Sequence, residues 1–415
     1  MTLRPALVGH AAALLGELLR FAEPADRVVS RFFRAHRALG PQERSFVADA
    51  VYAVLRRLRS LERAAGSAAP RALVLAAATR VLGYSQRALE RALEPGEAAL
   101  LARVRAFDAR SLPAPERYDL PDWLWARLVA EQGESEAAAL ARALLEPAPL
   151  DLRVNLARIS REEALARLGL PAAPTPHSPA GLRLAGRPAV QRHPLFLSGA
   201  FEVQDEGSQL LAYLVAPRRG EMVADFCAGA GGKALALAML MRGTGRVYAM
   251  DVSARRLAQL APRAARAGVS DIHPVVLAGE NDVRLKRLAG KLDRVLVDAP
   301  CSGFGTLRRN PDLKWRHTEA AIAEMAAKQA RLLRAAARLV KPGGRLVYAT
   351  CSLLREENDA VVDAFLAEAG ASFAPLDCGE LLAAQRIALD TGARLRLLPH
   401  RHGTDGFFAA AFARK

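Results

Sequence analysis

The chain has 415 residues, more than one ordinary domain holds, and at 51% hydrophobic residues it can bury a normal core. Its 59 Lys and Arg against 43 Asp and Glu leave a formal charge of +16, which favours a polyanionic partner, RNA or DNA. Four cysteines without a C-x-x-C pair exclude a disulfide scaffold and argue against zinc, and no 18-residue apolar run or clear signal-peptide cleavage site is present. A cytoplasmic protein with reduced thiols and no resident metal is expected.

From about Ala6 to Leu145 the pattern is helical. Arg44–Leu61 places Phe46, Val47, Val51, Val54, Leu55 and Leu58 on one stripe with arginines opposite, and similar stripes recur at Leu73–Leu82 and Leu120–Leu145. Glu146–Pro149 reads as a linker. Leu150–Asn155 alternates as a strand, and Ser160 stands three residues before Glu163 at capping-box spacing. A proline-rich stretch and G-L-R-L-A-G follow. The expected divisions are an all-α domain over 1–145, a small α+β module over 150–199 and a larger α/β domain over 200–415.

In that last part strands and helices alternate. Strands are predicted at Met222–Cys227, Gly245–Asp251, Ile272–Leu277, Leu285–Leu288, Leu292–Asp298, Gly344–Thr350, Arg394–Leu398 and Gly406–Ala413. Helices are predicted at Ser253–Ala267, Ala320–Leu339 and Glu356–Ala369. The alternation predicts a doubly wound, mainly parallel sheet that binds ligands at its C-terminal strand ends.

Val223–Lys233, V-A-D-F-C-A-G-A-G-G-K, reads as a strand, a tight turn and a helix start. Gly229, Gly231 and Gly232 allow a nucleotide-like ligand to approach backbone N–H groups. Asp251 ends the next strand, where a carboxylate accepts hydrogen bonds from ribose hydroxyls. Glu280 and Asp282, in A-G-E-N-D after the third strand, are candidates for the adenine side. A nicotinamide dehydrogenase fits less well, because A-G-A-G-G-K departs from G-x-G-x-x-G and the fourth and fifth strands lead into Cys301 and Cys351. In a sheet of methyltransferase order the first, fourth and fifth strands are neighbours, so the two thiols would face each other beside the cofactor. Packing roles are expected for Cys227 and Cys378. The basic loop with Arg308, Arg309, Lys314, Trp315 and Arg316 suits phosphate contact and stacking on an unpaired base.

D-F-C-A-G-A-G-G-K, D-A-P-C-S-G-F-G-T-L-R-R-N-P-D-L-K-W, Y-A-T-C-S-L-L-R-E-E-N, the terminal D-G-F-F and the upstream F-E-V-Q-D-E-G-S-Q-L-L-A closely resemble the bacterial RNA cytosine-5 methyltransferases of the Sun/RsmB type. The resemblance covers Leu150 to the C-terminus, and the N-terminal helices more loosely resemble the NusB-like domain of members acting on small-subunit rRNA. Two departures are Ala230, where the family often has Pro, and A-G-E-N-D in place of G-D. The resemblance implies a Rossmann-like class I sheet binding S-adenosylmethionine through Cys227, Ala228, Gly229, Ala230, Gly231, Gly232, Lys233, Asp251, Glu280 and Asp298.

It also implies roles at the reacting base. Carbon 5 of cytosine is too weak a nucleophile to take a methyl group unaided, and addition of a thiolate to carbon 6 makes the ring enamine-like. Cys351 is implied as that nucleophile, Cys301 as the group assisting product release, and Asp298 as a hydrogen-bond partner near ring nitrogen 3. A DNA-type enzyme would instead attack with Cys301. The implied substrate is small-subunit rRNA, with the protein acting as a monomer. The alternatives are a tRNA methyltransferase of the same family and a non-catalytic RNA-binding assembly factor.

Overall fold

In the computed structural model, which describes residues 3–415, the helical expectation for the first part holds from Pro5–Leu18 to Glu134–Leu144. Met1 and Thr2, the start of the expected 1–145 domain, lie outside the described residues. Leu14, Leu15, Val47, Val51, Val54, Leu73 and Leu75 are fully buried in one core. The run expected as one helix over Arg44–Leu61 is two, Pro41–Arg56 and Leu58–Ala65, broken at Arg57 with φ −128° and ψ 39°. The break leaves the last carbonyls of the first helix without helical partners.

The chain divides into two compact units, and the division is not the one expected. The helical unit, through Pro147, also contains Thr306–Glu319, and the second unit holds Ala148–Gly305 and Ala320–Lys415. A segment placed by its position in sequence in the catalytic domain therefore packs with the helices.

In the second unit, β1 (Leu150–Val154), β2 (Ala172–Pro174), β3 (Gly181–Leu184) and β4 (Phe201–Val203) form an antiparallel sheet in the order β2-β3-β1-β4. β4 pairs with β1, so this small module extends past the expected limit at 199. Ser160 caps the helix Arg161–Leu168, its hydroxyl accepting from Glu163 N at 3.1 Å.

The large sheet contains β5 (Met222–Asp225), β6 (Arg246–Asp251), β7 (Ile272–Val276), β8 (Leu292–Asp298), β9 (Val340–Thr350), β10 (Phe373–Leu376), β11 (Leu395–Leu397) and β12 (Phe407–Arg414). Its order is β10-β12-β9-β8-β5-β6-β7, with β11 pairing β12. The β5–β9 pairs are parallel, and β12 is antiparallel to β9. Alternation along the strands builds two cores. Val223, Leu296, Val347 and Ala409 lie on one face, and Ala224, Val295, Tyr348 and Phe408 on the other.

Three elements differ from expectation. Leu285–Leu288 is not a strand; a short helix, Val283–Lys286, starts at Asp282. The helix expected over Ser253–Ala267 is two, Ala254–Leu257 and Leu260–Ala267, because Pro262 lacks the N–H that would continue the first. β10 was not anticipated.

Candidate active site

The glycine-rich turn connects β5 to the helix Gly232–Met241. Phe226 N donates to Leu296 O and Ala228 N to Met250 O, both at 2.8 Å, so the turn is fastened to β8 and β6. Gly229 and Gly231 have φ of +56° and +80°, the left-handed region that a glycine enters without strain. Gly229 N donates to Asp251 Oδ2 at 2.8 Å, while Asp251 Oδ1 accepts from Ser253 N at 2.8 Å. Asp251 thus ties the turn to β6 from the strand end where it was expected.

Two arginines missed in the sequence hold the turn from outside. Arg263 donates to Ala230 O at 2.6 Å and Arg153 to Gly232 O at 2.7 Å. Arg263 is held in turn by Glu202 at 3.0 Å. These charge-assisted bonds fix the carbonyls around Ala230, the position where the family often has a rigid proline.

Three carboxylates gather at the strand ends. Asp298 closes β8 and its Oδ2 receives Lys233 Nζ at 2.7 Å. Burial opposes the Lys233 charge, but Asp298 and Asp225 outweigh it and hold the ammonium above its ordinary range. Asp225 is 1% exposed, and among the described residues the backbone N–H of Ala234 is the one hydrogen-bond donor that favours its ionised form. Burial, then the charge of Asp298, pushes its carboxyl up to about 7, against the pull of Lys233. A cationic group brought into this surplus of negative charge would relieve it. S-adenosylmethionine, with a sulfonium and an ammonium, fits that donor set.

The two cysteines meet as the strand order requires. Cys301 follows β8, Cys351 follows β9, and their sulfurs are 3.3 Å apart. The hydrogen bond with Cys351, then burial, raises the Cys301 thiol well above its ordinary value. Cys301 therefore stays protonated and can donate S–H to the Cys351 sulfur. Gly305 N donates to Cys351 O at 2.9 Å, and Gly406 N, from the terminal D-G-F-F, donates to Gly305 O at 2.8 Å. A Cβ on Gly305 would run into the backbone of Gly406, so both positions require glycine for close approach.

Other expected site residues have partners of their own. Glu280, expected on the adenine side, pairs with Arg331 at 3.0 Å. Asp282 caps its own loop, accepting from Ala278 N at 2.7 Å and Arg284 N at 2.8 Å. The Arg284 side chain, then those amides, hold its carboxyl well below the usual range. Cys227 packs against the β5–β8 core and Cys378 is buried on the other face, where burial raises both thiols, that of Cys378 to about 11.

The basic loop is corrected more sharply. Within the helical unit, Lys314 Nζ donates to Arg56 O at 2.8 Å and Trp315 Nε1 to Leu55 O at 2.8 Å. These are the carbonyls left by the helix break at Arg57. Lys314 is 3% exposed, and burial pushes its amine down to about 7. Asp312 Oδ2 accepts from Ala25 N at 3.2 Å at the start of the helix Ala25–Ala35 and faces Arg316 at 3.5 Å. Arg308 is buried, its carbonyl accepting from Arg56 at 3.1 Å. The surface for phosphate contact expected of Arg308 and Lys314 is thus taken up by capping and packing, while Arg309, Trp315 and Arg316 remain partly exposed, Trp315 with its indole N–H already engaged.

Among the described residues, no group of three or more His, Cys, Asp or Glu is gathered as metal ligands, and no helix is long and apolar enough to cross a membrane.

A sheet of this order, with a glycine turn after its first strand and carboxylates at the ends of the first, second and fourth, defines a Rossmann-like methyltransferase. Residues 212–413 match the family described as 16S rRNA methyltransferase RsmB/F, and residues 120–191 match the ferredoxin-like domain described as Methyltr_RsmF/B-like. A probable ribosomal RNA small subunit methyltransferase B of Synechocystis sp. is 34% identical over 96% of this chain and 97% of its own length. The Bacillus subtilis protein so described is 34% identical over 71% of this chain and 66% of its own. Among solved structures, PH0851 is 26% identical with a TM-score of 0.80 over 99% of both chains. A methyltransferase homologue from Pyrococcus horikoshii is 30% identical with a TM-score of 0.63, over 74% of this chain and 100% of its own. The chain belongs to the RsmB/F family of 16S rRNA methyltransferases and is an S-adenosylmethionine-dependent rRNA methyltransferase.

Proposed function

We propose that the protein forms 5-methylcytosine in 16S rRNA through a covalent bond between Cys351 and carbon 6 of the target base. The observation that carries this reading is the 3.3 Å approach of Cys301 and Cys351 at adjacent strand ends, beside the Lys233–Asp298 pair. The turn Cys227–Lys233, Asp251 and the carboxylates Asp225 and Asp298 would hold the cofactor. When bound, S-adenosylmethionine supplies an electrophilic methyl group.

The chain's own residues supply the rest. The cytosine leaves its stack at a cost of about a few kcal/mol. Asp298, oriented by Lys233, accepts a hydrogen bond from the exocyclic amino group beside ring nitrogen 3, and the Lys233 ammonium offsets the negative charge that develops on the ring when the adduct forms. Cys351 adds to carbon 6, and the electron-rich carbon 5 takes the methyl group. Elimination then passes the carbon 5 proton to water and breaks the carbon 6–sulfur bond, and Cys301, protonated beside that sulfur, assists by donating its S–H to the departing Cys351 thiolate. The helical unit, NusB-like in its pattern, is read as an accessory RNA-contacting domain on a protein acting as a monomer in the cytoplasm.

Trapping tests the assignment. Cys301→Ala should accumulate a denaturation-resistant RNA–protein adduct with 16S rRNA, and Cys351→Ala should form none. The reverse pattern refutes it.

A further inference from the structure

One buried group next to the two cysteines is unused by this mechanism. Glu357, in the run R-E-E-N after Cys351, is 0% exposed, and among the described residues no Lys or Arg pairs with it. A carboxylate in such a place is costly unless donors surround it. They do. Its Oε1 accepts from Ser302 N at 2.8 Å and Gln329 Nε2 at 2.9 Å. Its Oε2 accepts from Ser302 Oγ at 2.6 Å and from Ser352 Oγ.

Those partners decide what it does. Ser302 directly follows Cys301 and Ser352 directly follows Cys351. One carboxylate therefore joins the loops that carry the two sulfurs, and the two hydroxyls are themselves 3.1 Å apart. Gln329 also donates to Pro300 O at 3.0 Å, which adds a hold on the residue before Cys301. Tyr348 OH donates to Glu357 O at 2.6 Å, and Asn358 Nδ2 to Ser352 O at 3.1 Å, fixing the carboxylate's own backbone and the far side of the Cys351 loop. Four donors on two oxygens is a demand that an acceptor-only carboxylate meets in full.

We propose that Glu357 is a positioning residue for the methyl-transfer reaction. By clamping Ser302 to Ser352 it sets the separation of Cys301 and Cys351, on which both formation of the RNA adduct and its release depend. The proposal rests on the reading of Cys351 as nucleophile and Cys301 as release group. The charge of Glu357 also contributes to keeping the Cys301 thiol protonated.

Two variants separate this role from a merely structural one. Glu357→Ala removes all four acceptor bonds, and Glu357→Gln keeps Oε1 for Ser302 N and Gln329 while the hydroxyls can turn to accept from its amide. With 16S rRNA and S-adenosylmethionine, Glu357→Ala should lower kcat about 100-fold, the cost of misplacing a reacting group by about 1 Å, with KM for the cofactor changed less than about twofold. Glu357→Gln should restore kcat to within about tenfold of the parent. Without RNA, diamide oxidation of the parent to a Cys301–Cys351 disulfide, read by mass spectrometry after alkylation, should be about tenfold faster than in Glu357→Ala. If Glu357→Ala does not fold, the Ser302→Ala/Ser352→Ala double variant takes its place with the same expected directions. Unchanged kcat together with an unchanged oxidation rate overturns the proposal. If Cys351→Ala rather than Cys301→Ala traps RNA, the nucleophile assignment fails, and the RNA-free oxidation rate still judges the clamp by itself.

Discussion

The buried carboxyl of Asp225 makes cofactor affinity depend on pH in a direction the structure fixes. Its midpoint lies near 7 because burial and Asp298 disfavour its charge. A cationic cofactor favours the ionised form, so binding below that midpoint must first expel a proton. The ionised fraction falls from about nine-tenths at pH 8 to about one-tenth at pH 6, so apparent affinity should fall about tenfold, or ~1.4 kcal/mol, over that interval. Isothermal titration with S-adenosylmethionine from pH 5.5 to 7.5 measures the slope below the ordinary range of the cofactor's own amine. Asp225→Asn should bind more weakly at pH 7.5 and lose most of the slope. The ligand-free protein should show the linked effect. The folded state keeps this carboxyl's proton, which the unfolded chain releases near pH 4, so stability of the parent relative to Asp225→Asn should decline as pH rises from about 4 to about 7 and level off above. An affinity flat with pH in the parent, or an undiminished slope in Asp225→Asn, would refute the reasoning.

Arg263→Ala frees the carbonyl of Ala230 from a charge-assisted bond and should weaken cofactor binding by about tenfold, near the 1.5–3 kcal/mol typical of such bonds, as read by the same titration. Trp315→Ala removes an aromatic packed on the helical core and orphans the bond to Leu55 O; a loss of about 3 kcal/mol in denaturant unfolding is expected, with rRNA affinity unchanged. Gly305→Ala drives a methyl group into Gly406 and should slow adduct formation in a Cys301→Ala background by at least about tenfold, measured by gel shift under denaturing conditions.

The sequence made the sheet readable because its strands are short apolar runs ended by chemistry-bearing residues. Asp225, Asp251, Asp298, Cys301 and Cys351 fall at or just beyond C-terminal strand ends as their positions in the runs implied. Two kinds of feature were hidden. Arg153 and Arg263 reach the turn from the small sheet and from the helix Leu260–Ala267, and no local pattern distinguishes them from other arginines in a chain rich in that residue. The loop around Lys314 failed for a related reason. Its composition is that of a nucleic-acid contact, but the partners of Lys314 and Trp315 are carbonyls about 260 residues away, exposed by a helix break that periodicity alone did not show.

The same distinction accounts for Ala230. A proline in the turn restricts the backbone through covalent geometry. Here Arg263 grips the carbonyl of Ala230 and Arg153 that of Gly232, while Gly229 N is held by Asp251. Restraint that sequence would credit to one rigid residue is supplied by charges brought from β1, from β6 and from the helix Leu260–Ala267. If that is what substitutes for proline, loss of Arg263 should harm this chain more than it harms a relative with proline at that position. Measuring cofactor affinity for the arginine deletion in both proteins tests the exchange, and equal losses would show that the arginine has another purpose.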